Sequence, residues 1–253
     1  MSDNIAHSYE DKFFDYLDVG ARRSAQPIVA LLREYLRVSN FLDVGCGRGV
    51  WVDEWLRNGV TDAVGADGEY IRLDRLVIDK EKFVALDLSR GFRLGRRFDL
   101  VQSLEVAEHI PAAHADVFLD NLVAHGDLVL FSAAVPGQGG EFHVNEQPYE
   151  YWRGKFASRG FELFDFIRPN ILNNQTIEPW YRYNTFLFVH QRALDRIPEE
   201  ISQTRLRHDQ PVVDLSPLAW RLRNSVVRRL PRWVVQRIAR LKHVAVRSGL
   251  SLR

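Results

Sequence analysis

The sequence has a single cysteine, Cys46, among its 253 residues, so no disulfide can form within the chain. It also lacks an uninterrupted run of about 20 apolar residues, the length that a membrane-spanning helix needs. Residues 1–14 are polar and acidic and contain no apolar core of the kind that secretion signals carry. From these absences we expect a soluble, cytoplasmic protein.

Acidic residues are missing from the end of the chain. Residues 217–253 contain ten Lys or Arg and no Asp or Glu, whereas residues 1–216 contain 24 basic and 33 acidic residues. We expect a folded domain with amino-terminal helices over residues 1–202 and a basic amphipathic helical tail over residues 203–253. In the tail, a helix is predicted after Pro231 from an apolar stripe formed by Val234, Ile238, Leu241 and Ala245.

Apolar runs alternate with helical segments along the first 202 residues. The expected strands are 41–44, 63–66, 83–86, 98–102 and 128–133, and the expected helices are 10–19, 26–38, 50–58 and 111–124. Near-continuous apolar strands separated by helices favour a parallel sheet covered on both faces. Two further strands, 161–167 and 185–191, are joined by a long loop without a clear helix. They predict an antiparallel hairpin at one edge of a seven-stranded α/β sheet.

A glycine-rich turn follows the first expected strand. The stretch FLDVGCGRGVW, residues 41–51, has glycines at three alternate positions and leads into a helix. Glycines let a ligand approach the backbone closely, and a helix start offers free N–H groups. The dinucleotide fingerprint would need a small residue where Val50 stands. Asp43 would repel a pyrophosphate but can pair with an ammonium group, which favours a nucleoside that carries an amino acid.

The segment LDVGCGRG resembles the first motif of class I S-adenosylmethionine-dependent methyltransferases, and later segments resemble the small-molecule and glycan-modifying branch. The resemblance implies a Rossmann-like fold and S-adenosylmethionine as cofactor. It places Asp67 on the ribose hydroxyls and Asp87 on the adenine amino group. The implied cofactor-binding residues are, in chain order, Asp43, Gly45, Cys46, Gly47, Gly49, Asp67, Gly68, Asp87, Leu88, Ser103 and Glu105.

Two histidines are candidates for a general base, which an alcohol acceptor needs more than an amine does. His143 follows a glycine-containing loop after the fifth strand, where open α/β sheets bind ligands. Asn145 and Glu146 are close enough in sequence to orient it. Glu108 and His109, after the fourth strand, are the rival pair. In the resembling methyltransferases this E-H pair packs near the cofactor and the histidine can serve as base, and either histidine of this chain can be structural instead. No spacing of His and Asp matches a known ligand set, so we expect no metal.

The acceptor class is indicated by resemblance alone. Residues 132–152 are similar to a segment of bacterial methyltransferases that act on cell-surface polysaccharides and secondary metabolites. This implies O-methylation of a sugar or polysaccharide precursor. The alternatives are a small metabolite or carboxylate acceptor that needs no base, and a membrane-associated interaction protein without activity. Nucleic-acid bases are disfavoured as acceptors. Adenine and amide N-methyltransferases resemble one another in having the motif D/N-P-P-Y/F after the fourth strand, whereas residues 103–106 of this chain read SLEV.

The sequence allows three binding partners for the basic tail. A basic amphipathic helix can lie on an anionic membrane surface, here the inner face. It can equally pack on the acidic domain or on a second copy of the chain. Binding to nucleic acid is the third alternative for residues 217–253.

Overall fold

The apolar runs form one seven-stranded sheet within residues 11–231 and 233–237, which are the residues that the computed structural model describes. In chain order the strands are β1 (Asn40–Val44), β2 (Asp62–Asp67), β3 (Phe83–Ala85), β4 (Leu100–Leu104), β5 (Leu128–Ser132), β6 (Phe161–Phe164) and β7 (Phe186–His190). Their order across the sheet is β3-β2-β1-β4-β5-β7-β6. Strands β1 to β5 are parallel, and β7 lies antiparallel between β5 and β6. The expected Rossmann-like sheet with an antiparallel edge hairpin is confirmed.

Helices cover both faces of this sheet. They are α1 (Asp11–Tyr35), α2 (Val50–Arg57), α3 (Ala115–His125), α4 (Tyr149–Ala157), α5 (Ile167–Ile171), α6 (Pro179–Asn184), α7 (Glu199–Ser202) and α8 (Leu218–Val227). Short 3₁₀ turns connect several elements, among them Ala107–His109 directly after β4. One apolar layer lies between the sheet and α1, α2 and α5, and a second lies beneath α3 and α4. Buried β4 contributes to both layers, with Leu100 on one face and Val101 on the other.

Helix α1 corrects the sequence-based prediction of two helices over residues 10–19 and 26–38. The structure has one helix, which contains Pro27 and ends at Tyr35. A proline inside a helix removes a backbone hydrogen bond, so it normally indicates a break. Here the apolar face is buried on both sides of the proline, and that packing keeps the helix continuous.

The strand expected over residues 161–167 is too long, and the expected loop that follows it contains helices α5 and α6. Arg168 explains the difference. Its fully buried guanidinium donates to both carboxylate oxygens of Asp165, at 2.8 and 2.7 Å, and to the carbonyl of Val213 at 3.0 Å. These contacts fold the chain sharply after β6, and nothing in the local apolar pattern indicates them.

The part of the chain after residue 202 is seated on the sheet domain as far as the structure describes it. Buried Arg153 donates to the backbone carbonyls of Leu206, at 2.9 Å, and of Gln210, at 2.6 Å. The proposed boundary at residue 203 stays a prediction. Three positions of the expected tail stripe lie outside the described residues, namely Ile238, Leu241 and Ala245. No helix in the described part of the chain is both long enough and apolar enough to cross a membrane.

Candidate active site

The turn between β1 and α2 is built on glycines that no other residue could replace without strain. Gly45, Gly47 and Gly49 have φ angles of 87°, 55° and 89°, in the left-handed region. A Cβ on Gly45 would also overlap the side chain of Val106. The turn therefore presents bare backbone at the carboxyl edge of the sheet, immediately before the amino terminus of a helix.

Asp67, at the end of β2, ties this turn to the next strand. Its carboxylate accepts hydrogen bonds from the N–H groups of Gly47 and Gly68, both at 2.7 Å, and from the Tyr70 hydroxyl at 2.5 Å. Burial raises the pKa of Asp67, although these hydrogen bonds partly offset it. The Tyr70 hydroxyl thus donates to the same carboxylate for which the family resemblance implies a role in binding the ribose hydroxyls.

Asp43 lies on β1 beneath the turn and is only 2% exposed. One carboxylate oxygen accepts a hydrogen bond from Gln102 Nε2 at 3.2 Å, and the other has no hydrogen-bond partner among the described residues. Burial raises the pKa of Asp43 to about 8, opposed by the Gln102 hydrogen bond and reinforced by the charge of Asp67. An unpartnered buried carboxylate oxygen below a glycine cradle fits a ligand that brings a positive charge.

The remaining predicted cofactor residues differ in their surroundings. The buried Ser103 hydroxyl donates to the Val44 carbonyl at 2.8 Å, so it joins β4 to β1. Leu88 is buried in the core beneath α3, and burial raises the pKa of the Cys46 thiol. Asp87 is exposed after β3 and accepts from the hydroxyl of Ser89 at 2.6 Å. Their roles in cofactor binding stay predictions.

Glu105 follows β4 with a φ angle of 57°, which is unusual for a residue other than glycine. Its carboxylate accepts a 2.6 Å hydrogen bond from Gln138 Nε2, and Gln138 in turn accepts from Asn184 Nδ2 at 2.8 Å. The other carboxylate oxygen of Glu105 is enclosed and has no hydrogen-bond partner in the described chain. Burial raises the pKa of this carboxyl group.

His143 lies in the loop after β5 and is held by Glu146. Its Nδ1 is 2.9 Å from Glu146 Oε1, and the same carboxylate accepts from the N–H groups of Gly137 and Gly139, at 2.8 and 2.7 Å. Burial opposes the ionisation of Glu146, but the hydrogen bond to His143 and these N–H groups hold its pKa below the usual value. Of the two orienting residues that the sequence offers, Glu146 is the one that contacts the ring.

The structure brings the rival histidine to the same place. The rings of His109 and His143 lie edge to face, with 4.9 Å between their centroids. Glu108 Oε1 is 4.0 Å from His143 Nε2. Burial raises the pKa of Glu108 well above its usual value, and the charge of Glu105 adds to this effect. The sequence points to Glu108 only as the neighbour of His109, and its burial beside a histidine 35 positions away is seen only in the structure.

Helix α8 rests directly on the loop that carries His143. Gly137 has a φ angle of 87°, and a Cβ there would overlap the backbone carbonyl of Asn224. Arg223 donates to the carbonyl of Gln138 at 2.7 Å. The carboxyl-terminal helix therefore packs against the candidate site rather than against a remote face.

Comparisons with known proteins identify the family of the chain. A family model described as a methyltransferase domain matches residues 16–166, and the chain belongs to this family. A search of curated proteins gave no match.

Several solved structures share the fold. The sugar N-methyltransferase KedS8 from Streptoalloteichus is 18% identical, with a TM-score of 0.55 over 72% of this chain and 93% of that one. DesVI from Streptomyces venezuelae is 16% identical, with a TM-score of 0.53 over 70% and 96%. Magnesium protoporphyrin IX methyltransferase from Synechocystis, solved with bound S-adenosylmethionine, is 19% identical, with a TM-score of 0.51 over 72% and 85%.

These findings confirm that the protein is a methyltransferase of class I with S-adenosylmethionine as its cofactor. The residues at the site fit that cofactor, since the glycine turn leaves the backbone bare and Asp43 offers an unpartnered buried oxygen.

Proposed function

We propose that the protein methylates a hydroxyl group of a sugar or of a cell-surface polysaccharide precursor, with His143 taking up the proton. The observation that carries this proposal is the orientation of His143 by Glu146 in the loop that follows β5. S-adenosylmethionine, when bound, supplies an electrophilic methyl group. The protein must therefore align the acceptor and remove its proton.

Three acidic residues are proposed to hold the cofactor. Asp43 offers its unpartnered oxygen to the ammonium group of the methionine end. Asp67 would bind the ribose hydroxyls once the Tyr70 hydroxyl has left its carboxylate. Asp87, exposed at the end of the neighbouring strand, is the residue proposed for the adenine amino group.

His143 suits the role of a base because Glu146 fixes the tautomer. A carboxylate that accepts from Nδ1 leaves the Nε2 lone pair free to accept a proton from a hydroxyl. His109 packs edge to face against the same ring and is proposed to limit its rotation.

A sugar acceptor is supported by the polar surroundings. Glu105, Gln138 and Asn184 form a chain of hydrogen bonds next to the loop of His143, and such groups can bind several hydroxyls at once. One neighbour in fold, KedS8, is described as a sugar N-methyltransferase. An amine acceptor must itself lose a proton before it attacks, so the methylated atom of the product, rather than the pH dependence of the rate, separates the two possibilities.

The test uses labelled S-adenosylmethionine with a panel of nucleotide sugars and glycan fragments. On the acceptor that is found, His143→Ala should keep cofactor binding and lose roughly 10²- to 10⁴-fold in turnover. His208→Ala, a change at an exposed histidine away from the site, is the matched control. Equal turnover of His143→Ala and the unchanged protein would remove His143 from the mechanism.

We also propose that the protein is cytoplasmic and touches the inner membrane face through α8. Leu218, Leu222 and Val226 lie on one side of this helix and are each more than half exposed. Exposed Arg221 and Arg228 flank them, and the segment has no acidic residue. An apolar stripe with arginines at its border complements an anionic lipid surface.

Co-sedimentation with vesicles tests this contact. Binding to vesicles that contain phosphatidylglycerol, but not to phosphatidylcholine vesicles, is expected for the full chain. Leu222→Glu should abolish it, whereas Val213→Glu, which adds the same charge at an exposed valine outside α8, should not. If Leu222→Glu instead dissociates a dimer in gel filtration and vesicles do not bind, the stripe joins two copies of the chain and the membrane proposal is wrong.

A further inference from the structure

The strongest cluster of metal-ligating atoms in the described chain lies at the candidate site. Glu108, His109 and His143 bring one carboxylate oxygen and two ring nitrogens within 4.8 Å of one another. Two of these residues follow β4 and the third follows β5, and the two strands are parallel neighbours. Their carboxyl ends meet at one edge of the sheet, so residues far apart in sequence converge there.

The surroundings of the Glu108 carboxyl group indicate that it binds a ligand. The residue is 0% exposed, and neither carboxylate oxygen has a hydrogen bond of normal geometry among the described residues. Two further carboxylates belong to the same cluster, since Glu105 precedes Glu108 by three residues and Glu146 contacts the ring of His143 at 2.9 Å. Burying a carboxyl group without partners is unfavourable, and a cation would compensate for the negative charge of all three groups.

The orientation of His143 fits the same occupant. Its Nδ1 is engaged by Glu146, while Nε2 faces Glu108 Oε1 at 4.0 Å. A histidine that ligates a metal usually gives its other ring N–H to a carboxylate, which fixes the ring. Ligands around one ion at about 2.1 Å lie roughly 3 to 4 Å apart, so only a small closure of the observed spacing is needed.

We propose that Glu108, His109 and His143 form a binding site for one divalent first-row cation. One carboxylate and two imidazoles suit Mn²⁺, Co²⁺ or Zn²⁺ better than Ca²⁺, which takes oxygen ligands. The inference rests on the proposed function for its acceptor, since an acceptor hydroxyl would complete the coordination of the ion, and it replaces His143 as the base.

A bound cation changes the role of His143. Because the ion occupies the Nε2 lone pair, the acceptor hydroxyl is then activated by the ion rather than by this ring. During the transfer the acceptor O–H bond breaks and its proton passes to water. A new O–C bond forms as the S–C bond of the cofactor breaks, leaving a neutral thioether. His143 is the base only in the cation-free protein.

Direct binding of Co²⁺ tests the site without an acceptor. The untagged full chain is treated with a chelator, dialysed and titrated with Co²⁺, with visible absorption reporting coordination. We expect saturation at one ion per chain. Glu108→Gln, His109→Asn and His143→Asn should each weaken binding at least tenfold, and His208→Asn, at an exposed position, should not. Glu108→Gln keeps the shape of a protonated carboxyl group, and circular dichroism confirms that each variant is folded.

Absence of saturable Co²⁺ binding, or binding that none of the three site variants weakens, would overturn the proposal. Calorimetry with S-adenosylmethionine on the same samples separates this failure from a failure of the proposed function. Cofactor binding without Co²⁺ binding leaves the methyltransferase assignment intact and removes only the cation. Loss of cofactor binding in the unchanged chain would contradict the proposed function itself.

Discussion

Asp43 allows a sharp test of how the site binds positive charge. Its pKa of about 8 in the folded protein compares with 3.8 for an ordinary aspartate. A raised pKa means that the folded state binds this proton more tightly than the unfolded chain does. The contribution to stability is therefore complete below pH 4 and is lost as the pH rises through about 8.

The magnitude follows from the size of the shift. Each pKa unit corresponds to about 1.4 kcal/mol, so a shift from 3.8 to about 8 gives an upper limit of about 6 kcal/mol. Asp43→Asn removes the titration but keeps the shape. The free energy of unfolding, from urea titrations at several pH values, should fall more steeply with pH in the unchanged protein than in the variant. Parallel curves between pH 4 and 8 would refute the assignment.

Cofactor binding gives a second readout for the same variant. Near pH 6.5 Asp43 is mostly protonated in the free protein, so pairing with an ammonium group requires it to release close to one proton. Calorimetric titrations in phosphate and in Tris, which differ in ionisation enthalpy, measure that release. We expect about one proton for the unchanged protein and none for Asp43→Asn, together with weaker binding. Equal proton release in both proteins would show that Asp43 does not contact the charge.

Three further predictions concern the cofactor site, the α8 contact and the buried ion pair. Asp67→Ala should weaken S-adenosylmethionine binding at least tenfold in calorimetry, and unchanged affinity would place the ribose elsewhere. Gly137→Ala, at a φ of 87° against the carbonyl of α8, should cost about 1–3 kcal/mol and lower the melting temperature, whereas Gly91→Ala, with open space around it, should not. Arg168→Leu should destabilise the protein by about 3–5 kcal/mol in urea because it leaves the partly buried Asp165 carboxylate unpaired. Arg96→Leu, in an exposed pair, should cost under about 1 kcal/mol, and equal losses would contradict this reasoning.

Local sequence patterns were enough to predict the elements around the glycine turn. The strand before the glycine turn, the helix after it and the acid at the end of β2 all follow from short-range spacing. The continuity of α1 through Pro27 depends on tertiary packing, which outweighs the usual effect of a proline. The turn after β6 depends on Arg168, whose partners come from three separate segments.

The candidate site was predictable only in part for a similar reason. The sequence singled out both histidines but gave no sign that they touch, because that contact depends on β4 and β5 being neighbours in the sheet. Glu108 was noted only as the neighbour of His109, since an acid beside a histidine is common and only the absence of hydrogen-bond partners distinguishes this one. The order of strands would have placed both loops at one edge, but side-chain packing decides which oxygen is left unpaired.

Three acidic residues at the carboxyl edge of the sheet are buried and have raised pKa values, unlike an acidic residue that is paired with an arginine. Asp43, Asp67 and Glu108 are each at most 4% exposed, and burial raises the pKa of all three carboxyl groups. Such groups lower the free energy of unfolding of the free protein at neutral pH, and a ligand that brings positive charge offsets this loss of stability. A neutral substitution of Asp43 or Glu108 should therefore stabilise the free protein while weakening the binding of its cation. Asp165, which already pairs with Arg168, should show only the loss of stability. A variant of Glu108 that loses stability in the free protein would mean that its carboxyl group is a structural element.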